Sequence, residues 1–76
     1  MLKMFKKAIW IPYEDVYIYP TVAIAHRVIA DYCERNDISY TFLDDDSVIM
    51  NGIEHEIYRG TSLANRGCYG IKCREK

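Results

Sequence analysis

The chain has 76 residues, half of them hydrophobic and 28% charged, a composition that suits one folded domain and excludes a disordered tail. At this size folding buries only about 60 to 65% of the unfolded surface, which leaves little stability in reserve for a deep active site. Ten basic side chains against eleven acidic ones give a formal net charge of -1, so no whole-molecule field draws the chain to nucleic acid or anionic lipid.

The opening residues are basic, but Pro12, Glu14 and Asp15 arrive before any apolar stretch long enough for a secretory signal. No apolar run approaches the roughly 20 residues that a membrane span needs. Cys33, Cys68 and Cys73 are odd in number and follow no disulfide-framework spacing, which fits a reducing compartment and a cytoplasmic location.

The first periodic segment, 5–11, alternates as a strand does. Phe5, Ile9 and Ile11 fall on one side and Lys6, Ala8 and Trp10 on the other. Pro12 ends it or holds it at an edge. Residues 13–20 then form a connecting loop rich in rings (Tyr13, Tyr17, Tyr19), with Val16 and Ile18 available to pin it to the body.

Thr21 is suited to cap a helix, because its hydroxyl can accept a free amide of the first turn. From Val22 the apolar spacing becomes helical: Val22, Ala25, Ile29, Tyr32 and Cys33 form a stripe flanked by Ile24 and Val28. Arg27, Ala30, Asp31, Glu34 and Arg35 lie away from it. The pattern stops at Asn36, a residue able to take the left-handed conformation that closes a helix.

Strand alternation returns at 38–43, with Ile38, Tyr40 and Phe42 on one face, and a turn follows at Asp44, Asp45, Asp46 and Ser47. Asn51-Gly52 between two alternating runs is a strong signal for a two-residue type I′ hairpin. That register opposes Met50 to Ile53 and Val48 to His55. It puts Val48, Met50, Ile53, His55 and Ile57 on the core face, with Glu54, Glu56 and Tyr58 on the other. A polar loop over 60–67 leads to a last strand at 68–74, with Tyr69, Ile71 and Cys73 inward and Lys72 and Arg74 sharing the outer face with the glutamates.

These readings predict a single α+β domain over 1–76, of order βαββββ, in which an antiparallel sheet carries one helix on one face. An unpaired edge at the first or last strand would allow a homodimer by strand addition.

Three segments resemble a family of small bacterial proteins catalogued only as a domain of unknown function. They are the run from Phe5 to Ala8; Ile11-Pro12-Tyr13-Glu14-Asp15 with Tyr19-Pro20-Thr21 leading into a helix that ends Tyr32-Cys33-Glu34-Arg35-Asn36; and the closing 66–76 segment. The likeness spans nearly the whole chain. It departs in the first helical turn, where Val22-Ala23-Ile24-Ala25 stands in place of an acidic start, and it brings no activity and no site residues.

No catalytic set is convincing. Glu54 and Glu56 flank His55 in sequence, but on a strand they point to the opposite face, so His55 reads as a satisfied core or rim histidine. His26 borders the helix stripe. Cys68 and Cys73 are five apart and face opposite ways, which excludes a convergent zinc site and leaves no activated thiol. Asp44, Asp45 and Asp46 lack calcium-loop spacing, and the 60–67 loop has glycines and donors for an anion but lacks the lysine ending of a phosphate loop. No cofactor and no metal is expected.

The outer sheet face is the better lead, where Lys6, Trp10, Thr41, Tyr58, Lys72 and Arg74 are expected to project together. The sequence therefore favours a non-enzymatic, cytosolic protein-binding module of the adaptor or inhibitor kind, including by analogy the inhibitors that mobile elements direct against host enzymes. Trp10, Tyr13, Tyr17 and Tyr58 would be its anchors, and Asp44, Asp45 and Asp46 would meet a basic patch on an unidentified protein partner. The alternatives are single-stranded nucleic-acid binding through Lys6, Trp10, Tyr58, Lys72 and Arg74, or a small ligand or phosphate at the 60–67 loop.

Overall fold

The computed structural model describes residues 7–61 and 68–76. Its elements are β1 (Ala8–Ile11), α1 (Val22–Arg35), β2 (Tyr40–Asp44), β3 (Ser47–Met50), β4 (Ile53–Thr61) and β5 (Tyr69–Glu75), which is the expected βαββββ order. The strands form one antiparallel sheet in the order β1-β5-β4-β3-β2, with α1 packed on one face. The last strand is therefore interior, hydrogen-bonded to β1 on one side and β4 on the other. The edges are β1, the first strand as expected, and β2 in place of the last strand.

Helix α1 begins as its sequence predicts. Thr21 is extended at ψ 170° and its hydroxyl accepts the Ile24 amide at 3.2 Å. Its end differs from expectation. Asn36 has φ -110°, and the left-handed residue is Asp37 at φ 56°. The Ile38 amide then reaches back to the Cys33 carbonyl at 2.8 Å, the closing bond of a Schellman turn. Asn36 still serves the terminus, since its side-chain amide donates to the Tyr32 carbonyl at 2.8 Å.

Ala25, Ile29 and Cys33 recur every fourth residue, and all three are fully buried against the sheet. They meet Ile11, Val48, Met50, Ile57, Ile71 and Cys73 in one continuous core. Burying a side chain of the size of Ile29 contributes about 1.5 to 3 kcal/mol, so this contact, rather than helix propensity, fixes α1 on the sheet. Cys33 Sγ lies 3.5 Å from Met50 Sδ, in the thick of that layer.

The Asn51-Gly52 hairpin forms as read, with φ 52° and 80° at its two central residues and the register Met50↔Ile53, Val48↔His55. Ile53 itself is not in the core. It sits directly after the turn, at the outer end of the hairpin, and is 47% exposed. The turn at 44–47 is also tighter than expected, because Asp44 closes β2 and Ser47 opens β3, leaving Asp45 and Asp46 to reverse the chain. Beyond them, β4 runs on through Gly60 to Thr61, so the loop after it starts later than the sequence suggested.

Candidate functional site

Alternation across three neighbouring strands places Trp10 (β1), Lys72 (β5) and Tyr58 (β4) on one rung of the sheet, by the registers Trp10↔Lys72 and Tyr58↔Lys72. They project from the face opposite α1, because Ile11, Ile57, Ile71 and Cys73, their odd-numbered neighbours, are the buried ones. The two rings lean together over the intervening strand, edge to face, with centroids 6.2 Å apart and planes at 87°. The Lys72 ammonium sits at 5.2 Å from the Trp10 ring and 5.4 Å from the Tyr58 ring. Each contact is within cation–π range. Trp10 and Tyr58 nevertheless remain 43% and 42% exposed.

The charges around this cluster alternate in sign. Arg74 stands between Ala8 and Glu56 on the next rung, and Lys76 reaches over the sheet end to Glu54 at 2.9 Å and to the Ser47 hydroxyl at 2.9 Å. Its hydrogen bond with Glu54 holds the Lys76 ammonium above its ordinary pKa, against the lowering that desolvation brings. Lys72, by contrast, has no ion pair among the described residues.

The aromatic residues that crowd the first quarter of the sequence do not form one surface. The Tyr13 ring packs against the core on the helix side and its hydroxyl donates to the Ile18 carbonyl at 2.7 Å. Burial, followed by the charge of Asp15, raises its pKa, while Arg27 opposes them. Tyr19 meets Tyr69 edge to face at 5.4 Å and its hydroxyl donates to the Arg59 carbonyl at 3.3 Å. Since Tyr69 alternates with Ile71 and Cys73, this contact also lies on the core side. Tyr17 stands out at 81% exposure.

The loop is pinned by its backbone more than by its apolar side chains. The Tyr69 amide donates to the Val16 carbonyl at 2.6 Å, whereas Ile18 is 57% exposed.

Asp44, Asp45 and Asp46 lie at the opposite sheet edge from Trp10. The Asp46 amide donates to Asp44 Oδ1 at 2.9 Å, the Asp45 carbonyl faces His26 Nε2 at 3.1 Å, and the Asp46 carboxylate lies 3.5 Å from Arg59. They organise a turn. Thr41 is on β2, with β5, β4 and β3 between it and Trp10's strand, so it is not part of the aromatic cluster. Lys6 and most of the 60–67 loop lie outside the described residues.

The histidines take the places that strand and helix spacing gave them. His55 is buried and its Nδ1 faces the Ile53 carbonyl at 2.7 Å, while His26 stacks on Phe42 with centroids 4.0 Å apart. Among the described residues no group of three or more His, Cys, Asp or Glu side chains is placed to hold a metal ion. A groove of about 450 Å³ runs beside α1, between Tyr13 and Asp15 on one wall and Arg27 and Tyr32 on the other, with the Asp31–Arg35 ion pair at 3.0 Å in its lining.

Sequence reasoning missed Arg59. It lies opposite Ile71 on the covered face, and nothing in a lone arginine between Tyr58 and Gly60 marks it as half-buried. The only signal was parity: it shares the alternation of His55 and Ile57, so a strand running past Tyr58 had to turn it inward. No family model, curated protein or solved structure matches this chain. No helix among the described residues is long and apolar enough to cross a membrane.

Proposed function

We propose that this chain is a small non-enzymatic binding module that docks a protein partner on its uncovered sheet face, with Trp10 and Tyr58 as anchors and Lys72 as the charged contact between them. The observation that carries this reading is the Trp10–Lys72–Tyr58 rung itself: two large rings, each more than two-fifths exposed, hold one cation that has no carboxylate partner among the described residues. Trp and Tyr at the centre of a patch, ringed by polar groups, are anchors of the kind found at interface hot spots. The complementary partner segment presents an acidic side chain between apolar ones.

Protein is favoured over nucleic acid because Glu54 and Glu56 share the face. Arg74 is opposed to Glu56 and Lys76 is bonded to Glu54, which leaves Lys72 as the uncommitted cation of this rung and little to neutralise a run of phosphates. Free thiols at Cys33, Cys68 and Cys73 support a cytosolic setting.

Capture experiments with nuclease-treated lysate test the assignment. A partner retained by the unmodified chain is expected to be lost with Trp10→Ala and with Lys72→Glu, and kept with Tyr17→Ala, all three giving unchanged circular dichroism. Undiminished capture by Trp10→Ala, or binding to a labelled oligonucleotide that weakens steeply with salt, would overturn it.

A further inference from the structure

The two edges of the sheet are not equivalent. β1 is four residues long, preceded by Lys7 and stopped by Pro12, which has no amide to offer. Lysine and proline are the usual protections of an exposed edge. β2 has neither; its pairing with β3 is irregular between Phe42 and the closing Asp44, but from Tyr40 to Phe42 it is in regular register, uncharged and built of residues that favour strands.

Hairpin geometry fixes which main-chain groups β2 turns outward. In a two-residue hairpin the residues flanking the turn exchange hydrogen bonds, and bonded and non-bonded pairs then alternate along the strands. Met50 and Val48 therefore face β4, while Ile49 faces β2. Its opposite number Thr41 turns its amide and carbonyl inward to β3. Ser39, two residues earlier, has the same parity, and its carbonyl does accept the Asn51 amide at 2.9 Å. It follows that Tyr40 and Phe42 direct their amides and carbonyls away from the sheet. Among the described residues these groups take no partner in any turn, loop or cap.

The helix leaves this edge accessible. His26, Ala30 and Glu34 follow one another at intervals of four along α1. His26 stacks on Phe42 and Glu34 accepts the Tyr40 hydroxyl at 2.6 Å, so this row flanks β2. Its middle member is an alanine.

We infer that a second copy of this chain adds to β2, strand against strand and antiparallel, about a two-fold axis passing between the two Thr41 residues. In that register Tyr40 of each copy exchanges both main-chain hydrogen bonds with Phe42 of the other, which uses the outward-facing groups and no others. A shift by one residue would bring the inward-facing groups of Thr41 to the junction and lose the bonds. The two Thr41 side chains, exposed on the uncovered face, meet at the centre, an arrangement that threonine pairs tolerate well. The interface is isologous and closes on itself, joining two sheets into one and removing both β2 edges. This dimer does not depend on the Trp10 surface, which lies toward the other edge.

Sedimentation of the intact chain tests it. The weight-average mass is expected to rise from 8.9 kDa toward twice that value as the concentration reaches millimolar. Thr41→Lys places like charges opposite each other and is expected to hold the chain at the monomer mass, as is Thr41→Glu. Mixing the two variants is expected to restore the dimer, because only a two-fold pairing at residue 41 sets those side chains face to face. In the unmodified chain the Tyr40 and Phe42 amides should exchange with solvent more slowly at high concentration, while the Thr41 amide stays protected at every concentration. A mass that remains at 8.9 kDa at millimolar concentration, a dimer indifferent to Thr41→Lys, or Tyr40 and Phe42 exchange independent of concentration would each overturn the inference.

Discussion

Arg59 Nη1 donates to the Pro20 carbonyl at 3.1 Å, tying the far end of β4 to the residue just before the helix cap. The same guanidinium reaches Asp46 Oδ1 at 3.5 Å and lies 5.7 Å from the Tyr19 ring, so one side chain joins the β2–β3 turn, the aromatic loop and the start of α1. Its side chain is 19% exposed, and its Nε is buried with no partner among the described residues.

Replacing Arg59 by lysine keeps the charge and removes the fork. An ammonium cannot serve Pro20 and Asp46 from opposite corners, so one acceptor is left short. We expect Arg59→Lys to destabilise the fold by about 1 to 3 kcal/mol, which for a domain of this size lowers the melting temperature by roughly 4 to 8 °C per kcal/mol. Thermal unfolding followed by circular dichroism measures it directly. A change within the scatter of repeat scans would show that backbone contacts alone hold the loop.

Arg59 also marks where the sequence stopped being readable. Elements with a strong period were legible: the Ala25, Ile29, Cys33 row, the Asn51-Gly52 turn, and the split of Ile57 from Tyr58 all follow from spacing. Strand ends were not, because Gly60 and Thr61 read as loop while cross-strand pairing to Gly70 and Tyr69 extends β4 over them. Ile53 has the parity of a core residue and lies opposite the buried Met50, yet beside the turn it stays 47% exposed, which its local pattern does not show. The order of strands was the largest omission. Only the return of β5 between β1 and β4 brings Trp10, Lys72 and Tyr58 onto one rung, and no local signal records that insertion.

Gly60 supports the aromatic rung from below. A Cβ built there would lie 2.6 Å from the Tyr58 hydroxyl oxygen and 2.8 Å from its Cζ, so the ring occupies the space that a side chain at 60 would need. Tyr58 completes the arrangement by donating to the Thr61 carbonyl at 3.2 Å. Gly60→Ala should therefore lift the Tyr58 ring off the strand, break that hydrogen bond and part it from Trp10. The expected readings are a shift in Trp10 fluorescence and a loss of about 1 to 2 kcal/mol, in the range of overpacked sites. In the Tyr58→Ala background the space is empty, and adding Gly60→Ala should then change stability far less. Equal effects in both backgrounds would separate Gly60 from the aromatic rung.

Two thiols make the fold sensitive to alkali. Burial, reinforced by the nearby Cys33, pushes the Cys73 thiol from 9.0 up to about 12, and burial followed by the charge of Glu34 raises Cys33 as well. A group whose folded pKa lies above its unfolded value loses nothing below the unfolded pKa. Between the two values the unfolded chain gives up its proton first, so stability falls as pH rises, by about 1.4 kcal/mol per pH unit for one such group. The chain is thus expected to hold its stability up to about pH 9 and to weaken steadily above it, on the unfolded thiol pKa of that region. Urea titrations at a series of pH values check the slope, and Cys73→Ala should lower stability at neutral pH yet flatten the alkaline fall. The same burial predicts that native protein exposes Cys68 to iodoacetamide while Cys33 and Cys73 react only on unfolding.

The helix terminus offers a gain instead of a loss. Asp37 takes φ 56° to let Ile38 close onto Cys33, a left-handed conformation in which a side chain is strained and glycine is not. Its carboxylate also stands at the negative end of the α1 dipole, where an acid is unfavourable. Asp37→Gly removes both penalties and adds only the larger chain entropy of an unfolded glycine, for a net gain of about 0.5 to 1 kcal/mol. Asp37→Asn separates the causes, since asparagine tolerates the same conformation without the charge. Its gain should shrink in high salt, whereas the remaining advantage of glycine should persist. Asp37→Ala removes the charge but keeps a Cβ at φ 56° without the local hydrogen bonding of an Asx side chain, so it should be the least stable of the three replacements. If alanine matched glycine in thermal unfolding at high salt, backbone strain at Asp37 would play no part in how α1 ends.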